Sequence, residues 1–431
     1  MKKAVLNYLL TLTLLIPGMI GLSFTNNNVY RTTKGIADII IFVKNNDGKA
    51  IPNATFINNS KAYTLLFDST GRLNIARRHL DTGDEISITC IGYTPLKIKG
   101  IDILTKGTRT FVLEYKQILL GEVKIKNSAE KLVFKNVSNL PFPLYYEACT
   151  SDGHYGYTVS GLSGRSICTQ ALKYDPQSNN WSLLAHDLKP TIQATSAYIP
   201  SNGKIYVIGG ITSTVNYTYF ENVETIDTKT GKVELLKVKN PLPTAYAGSA
   251  VWNNKIYVFG GGTGINNMTS SVAVNSFYEF DPVMEAFNKL PDMPEKLQTS
   301  GTVINGILYV FGGFNPQGNY TSSNIYSYDI QNKVWALIGK LPKPISANGI
   351  TACNDLIFIA GGYDDKDAVG FFNTQTRQFT VVKSNFSTRK HLGAIVIYNH
   401  IMVIGGSNAI YNTGVSTVQI ADLKDILTRA Q

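Results

Sequence analysis

Few residues of this 431-residue chain fall in patterns that do chemistry on their own. The four cysteines (Cys90, Cys149, Cys168 and Cys353) show no C-x-x-C spacing and no neighbouring histidine, so no structural zinc site is expected and the thiols read as unpaired and mostly buried. There is no nucleophile elbow, no H-E-x-x-H and no P-loop. Gly260-Gly261-Gly262-Thr263-Gly264 is glycine-rich, but no helical pattern follows to turn it into a phosphate cradle. Chemistry must therefore come from side chains that the fold brings together. A pair of arginines suits a carboxylate, because each guanidinium can donate two parallel hydrogen bonds. A glutamate near a sugar ring suits proton transfer. Which arginines and which glutamates depends on the elements that carry them.

Those elements repeat. Lys204-Ile205-Tyr206-Val207-Ile208-Gly209-Gly210 returns as Lys255-Ile256-Tyr257-Val258-Phe259-Gly260-Gly261 and as Ile307-Leu308-Tyr309-Val310-Phe311-Gly312-Gly313. Leu356-Ile357-Phe358-Ile359-Ala360-Gly361-Gly362 and His400-Ile401-Met402-Val403-Ile404-Gly405-Gly406 complete the set, and the glycine steps fall 51, 52, 49 and 44 residues apart. Tyr157-Thr158-Val159-Ser160-Gly161 is a degenerate sixth copy. A fixed period near fifty marks a repeat architecture. Each apolar, β-prone run reads as a strand covered on both faces. The glycines allow positive φ and close backbone approach. A second short strand follows, as in Tyr174-Asp175, Phe280-Asp281 and Tyr328-Asp329, and then a bulky apolar residue: Trp181, Val233, Phe287, Trp335 or Phe379.

This pattern resembles the kelch repeat, whose unit is one four-stranded blade of a β-propeller. The resemblance covers about residues 131–431 and implies an all-β, six-bladed kelch β-propeller over 127–431. The last unit supplies only three strands (Leu392–Tyr398, His400–Ile404, Val415–Ala421), while residues 131–137 match a fourth strand. The expectation is that 131–137 pair with Val415–Ala421 and close the ring, leaving no open sheet edge.

Kelch propellers bind ligands at one face, through the loops after the glycine pair and the residues before each first strand. Here the resemblance implies Glu147, Gln193, Tyr246, Gln298, Asn348, Arg389 and His391 before first strands, and Arg165, Tyr217, Tyr219, Glu221, Asn315 and Asp364 in the loops. Arg165 and Arg389 fall on units that adjoin in a closed ring, so they are expected to converge on one anion beside Glu147, Glu221 and Tyr246. Two functions remain open. One is a binding module that presents this face to a glycan or protein without turnover. The other is a sugar mutarotase, because the chain is more remotely similar to the N-acetylneuraminate epimerases; Glu147 or Glu221 would then be candidates for the acid/base, with no catalytic residue assigned. No cofactor and no metal is expected. Galactose oxidase shares the repeat, but needs two histidines and two tyrosines on copper, and only His391 is suitably placed.

Ahead of the repeats, Met1-Lys2-Lys3 and the apolar run Ala4–Leu22 read as a signal peptide cut near Ser23, so residues 1–23 are expected to direct export to the periplasm or beyond. No other stretch is apolar enough to span a bilayer, and the protein is expected not to be membrane-spanning after cleavage. Residues 36–126 carry short strand-like runs (Ile39–Val43, Tyr63–Phe67, Glu85–Ile91, Thr110–Tyr115) separated by turns such as Asp68-Ser69-Thr70-Gly71, and read as a small β-sandwich of transthyretin type. Gly48-Lys49-Ala50-Ile51-Pro52-Asn53-Ala54, Ile91-Gly92-Tyr93 and Leu120-Gly121-Glu122-Val123-Lys124-Ile125 resemble the carboxypeptidase regulatory-like domain of Bacteroidetes proteins. That resemblance implies a spacer or docking module, joined by a linker near Lys126–Ala129.

The net charge of +10 invites a nucleic-acid partner, but its distribution argues against one. Residues 1–126 hold 17 Lys+Arg and 9 Asp+Glu, whereas the repeats hold 23 and 21 and are nearly neutral. The expected partner is a glycan or an envelope or extracellular protein, and not nucleic acid.

Overall fold

A computed structural model describes residues 38–46, 48–52, 54–90, 93–105, 109–114, 124–213, 218–264, 271–363, 368–408, 413–422 and 424, with 124–130 described by backbone alone. The signal-peptide reading, Tyr217 and Asp364 lie outside the described residues.

Six antiparallel sheets follow one another along the chain. Their first strands are Ala148–Ser151, Thr195–Ile199, Gly248–Trp252, Gln298–Ile304, Gly349–Cys353 and Gly393–Ile397. Each first strand neighbours the next, and that of sheet six neighbours that of sheet one, so the sheets form a closed ring. The second strands are the repeated apolar runs, and they are enclosed as expected: Ile256, Tyr257, Val258 and Phe259 are all at most 6% exposed. Their packing is between sheets. Phe277 of sheet three meets Tyr328 of sheet four edge-to-face at 4.8 Å and Trp335 at a tilt at 5.4 Å. The bulky residue of the fourth strand thus fills the gap between neighbours. Trp335 also donates its indole N–H to the Pro291 carbonyl (2.8 Å), at the exit of sheet three.

The glycine pair has a single physical reason. The N–H of its second residue crosses to a carbonyl ahead of the next sheet: Gly210 to Thr244, Gly261 to Leu297 and Gly313 to Ile345, all at 2.8 Å, and Gly362 to Arg389 at 3.1 Å. Gly406 closes the ring onto Leu144 at 2.9 Å. A Cβ on the first glycine would collide with the same carbonyl, at 2.3 Å from Thr244 for Gly209. In sheet one the pair is Ser160-Gly161, both at positive φ, with Gly161 N–H on Thr191 O at 3.0 Å.

The chain entering the ring serves two sheets rather than one. Lys135–Asn136 pairs antiparallel with Gln419 and Ile420 of Val418–Asp422. This edge lies where the fourth strand of sheet six is expected, and Trp181 donates to Ser138 O (3.0 Å) as Trp335 does to Pro291 O. Residues 131 and 132, however, belong to Lys124–Leu132, which runs parallel to Gln378–Ser384 as a fifth strand of sheet five. Val415 pairs with Leu144 instead, in an isolated bridge. Phe134 marks the crossing and packs on Phe358 and Phe386. The expected linker at Lys126–Ala129 is therefore corrected: these residues lie inside a strand, because the edge of sheet five offers them backbone partners.

Before the ring, Arg72–Ile75, Ile39–Asn45 and Arg109–Leu113 form one sheet, and Tyr63–Leu66, Thr55–Asn58, Glu85–Thr89 and Leu96–Lys99 form another. Ile41, Val43, Phe56, Ile75, Ile86, Ile88 and Leu113 make a common core with Ile103 of a short helix, Gly100–Leu104. The Asp68 turn is tied by Oδ1, which accepts from the N–H groups of Thr70 and Arg72 and from the Thr70 hydroxyl.

Candidate functional site

At one mouth of the ring, in every sheet but the fourth, the residue two before the first strand is held in the left-handed region. Tyr146, Gln193, Tyr246, Ala347 and His391 have φ of 59, 59, 56, 56 and 53°. Non-glycine residues avoid this region, and such strain concentrates at functional positions. Here a backbone relay holds it. Gln193 N–H donates to Tyr146 O (2.9 Å), Tyr246 to Gln193 O (3.0 Å) and Thr299 to Tyr246 O (3.3 Å), while His391 donates to Ala347 O (2.8 Å).

The conformation turns these side chains to a common place. Tyr146 packs against His391 in a tilted arrangement with ring centroids 4.4 Å apart, and Tyr246 meets Tyr146 edge-on at 5.9 Å. Tyr363 approaches His391 at 6.3 Å, and the Lys390 ammonium sits 3.7 Å above the Tyr363 ring. Tyr146, Tyr246, Tyr363 and His391 border a cleft of about 890 Å³, at the upper end of small-ligand pockets. Its opposite arc carries Gln298, Ser300, Asn348 and Asn319, with Phe314 and Tyr320 as further rings. Asn348 donates to Ser300 Oγ (3.1 Å) and Gln298 to Ser271 Oγ (3.2 Å). Gln193 donates to the Tyr246 hydroxyl at 2.5 Å.

No described lining residue carries a formal charge. Burial pushes His391 down to about 3, helped by the Lys390 charge, so its imidazole is neutral at ordinary pH. Among the described residues there is no cluster of His, Cys, Asp and Glu suited to a metal.

The expected residues divide. Tyr246, Gln298, Asn348 and His391 line the cleft, and Gln193 touches it through Tyr246. Tyr219 packs with Tyr146 and Tyr246 around Ile192, Ile211 and Ala245. Asn315 holds a turn by accepting from Gly318 N–H and donating to Lys296 O.

The arginine clamp is corrected. Arg389 is 1% exposed, and its guanidinium donates inward to Thr417 O (2.7 Å), Gly405 O (3.2 Å) and Gln419 Oε1 (3.0 Å). Arg165 sits at the exposed tip of the hairpin between Leu162–Ser163 and Ser166–Ile167. The glutamates are not at the cleft either. Glu221 is on the surface, paired with Lys239 at 3.1 Å. Both Glu147 carboxylate oxygens are sealed from solvent, and burial pushes the group up to about 8 despite the Arg389 charge and nearby amides.

Tyr146, Phe314, Asn319, Tyr320 and Tyr363 were not expected. For Tyr146 the signal lies in the register. Ser160 occupies the first-glycine slot, so counting back fourteen residues, as from Gly260 to Tyr246 or Gly405 to His391, reaches Tyr146 and not Glu147.

The family described as KLHDC2/KLHL20/DRC7 Kelch-repeats domain matches residues 146–362. Beta-scruin of Limulus polyphemus is 27% identical over 277 residues, covering 59% of this chain and 29% of that protein. Kelch-like protein 23 of Homo sapiens is 27% identical over 207 residues, 48% of this chain and 34% of that protein. The chain thus spans about a third of the length of these curated relatives. The structure of YjhT superposes with a TM-score of 0.57 at 18% identity, covering 67% of this chain and 97% of that one; at this identity the likeness is one of fold.

Proposed function

The chain belongs to the kelch-repeat domain family, and from that premise we propose that it is a binding module: a six-bladed kelch β-propeller that takes a neutral, polyhydroxylated ligand, a glycan, over the mouth of its channel. The observation that carries this reading is the composition of the cleft. Tyr146, Tyr246, Tyr320, Tyr363 and His391 supply ring faces for apolar sugar C–H groups, and Gln298, Asn319, Asn348 and Ser300 supply neutral donors and acceptors for hydroxyls. An anionic ligand would find no counter-charge among these residues. The mutarotase alternative needs a carboxyl group at the sugar ring. With Glu147 enclosed and Glu221 ion-paired at the surface, binding without turnover is favoured.

On this reading the sheets before residue 115 form the carboxypeptidase regulatory-like sandwich, acting as a spacer in an exported protein of the bacterial envelope. Among the described residues no helix is long and apolar enough to cross a membrane.

The test is a glycan array that holds neutral and sialylated structures side by side, followed by calorimetry on the hits. Neutral glycans are expected to bind, and Tyr146→Ala and Tyr246→Ala should each weaken them about tenfold or more, as loss of a central aromatic anchor does. Selective binding of sialylated glycans, or tight binding by both alanine variants, would overturn the reading.

A further inference from the structure

The cleft wall on the side of sheet four is built differently from the rest. In sheets one to three the second strand stops at the glycine step, and a separate two-stranded ribbon follows, such as Gly262–Gly264 with Ser271–Ala273. In sheet four the ladder runs on through Gly312-Gly313 with one register shift, so Ile307–Asn315 and Tyr320–Asp329 make one long hairpin. Its tip gives Phe314, Asn319, Tyr320 and Thr321 to the cleft.

Glu295, in the connection from sheet three, lies along this hairpin. Its Oε1 accepts from the Tyr320 hydroxyl (3.0 Å). Its Oε2 accepts from Ser322 Oγ (3.1 Å), Asn324 Nδ2 (3.0 Å) and the Tyr326 hydroxyl (3.0 Å). The four donors lie on a single strand, two residues apart, and converge on the one carboxylate across the strand's register shift. Among the described residues no Lys or Arg forms an ion pair with this carboxylate; its charge is met by four neutral donors, and such bonds are stronger than neutral ones. The Tyr320 ring also rests on Gly318, where a Cβ would stand 2.6 Å from it. The ring is thus held at its hydroxyl and along its edge.

We infer that Glu295 is a positioning residue: it holds the sheet-four hairpin in place as a wall of the cleft and, through Tyr320, sets which ligands fit. It does not touch the ligand. The part concerning ligands rests on the cleft being the binding site; the part concerning the hairpin does not.

Glu295→Gln keeps size and removes the charge. Tyr320→Phe keeps the ring and removes its hydroxyl, with the bond to Glu295 and the contact with Asn315. Two measurements separate the claims: hydrogen exchange of the ligand-free amides of 313–322, and calorimetric binding of cellotriose, maltotriose and chitotriose. Glu295→Gln is expected to speed exchange across the hairpin about tenfold or more, the scale of losing a charge-assisted bond, and to weaken the best trisaccharide by a similar factor. Tyr320→Phe should speed exchange at the tip alone, leaving 322 near the parent rate. Unchanged exchange in Glu295→Gln overturns the positioning role. Faster exchange with unchanged trisaccharide affinity overturns the role in selecting ligands. Faster exchange in a protein whose parent form binds none of the three supports the positioning role and counts against the neutral-glycan reading.

Discussion

The backbone N–H of Gly406 donates to the carbonyl of Leu144 at 2.9 Å, joining the end of the ring to its beginning with the same bond that links every other pair of neighbouring sheets. The first glycine of that step, Gly405, has φ of +52°, and a Cβ there would lie 2.4 Å from Glu147 Oε1 and 2.8 Å from Leu144 O. The join is therefore as dependent on glycine as the interior steps.

Gly405→Ala is expected to destabilise the protein by about 3 kcal/mol or more, from left-handed strain plus the collision. Gly164→Ala, also at positive φ but with nothing within 4 Å, should cost only the strain, about 1–2 kcal/mol. Denaturant melts of the two variants check this, and equal losses would refute it.

Arg389 is buried and spends its guanidinium on acceptors of the ring itself. Arg389→Lys cannot serve Thr417 O, Gly405 O and Gln419 Oε1 together, so it should lose roughly 1.5–3 kcal/mol of stability. Glycan affinity, measured well below the melting temperature, should stay at the parent value.

The closing segment should be unequal along its length. Phe134 is 3% exposed at the crossing between sheets five and six, whereas Val133 is 50% exposed. Phe134→Ala should cost about 3–5 kcal/mol and Val133→Ala under 1. Thermal unfolding of both variants decides it.

Stability should depend on pH in a defined way. The Glu147 carboxyl, raised from 4.5 to about 8, binds its proton more tightly when folded, so its contribution is complete at low pH and is lost between about 4.5 and 8. Glu224, raised to about 6 by burial, acts in the same direction at the lower end of that window. His391, lowered from 6.5 to about 3, is disfavoured as a cation in the fold, so its contribution is lost as pH falls below 6.5. The histidine and the glutamates oppose one another below 6.5, and of these groups only Glu147 still acts between 6.5 and 8. Urea midpoints should fall between pH 6.5 and 8, and Glu147→Gln should flatten that fall. A slope that persists in the variant assigns it to another group.

The repeat, its strands and the need for a closing segment were legible in the chain because they rest on local causes: β-prone apolar runs, a glycine pair at fixed spacing, and one bulky residue to fill each gap. The places of Tyr246, Asn348 and His391 just ahead of first strands, and of Gln298 at the start of one, were legible too. What failed was decided at a distance. Ser160 in a glycine slot moved the sheet-one position from Glu147 to Tyr146. Lys124–Leu132 found an open edge on sheet five, a partner some 250 residues away that no local pattern announces. Arg389 was expected at the face from its place in the repeat, but three acceptors converge on it only after the ring has closed. The sequence by itself determined which segments are strands and how often they recur; tertiary structure decided which side chains face the cleft, because that depends on backbone carbonyls and sheet edges contributed by the neighbouring sheet.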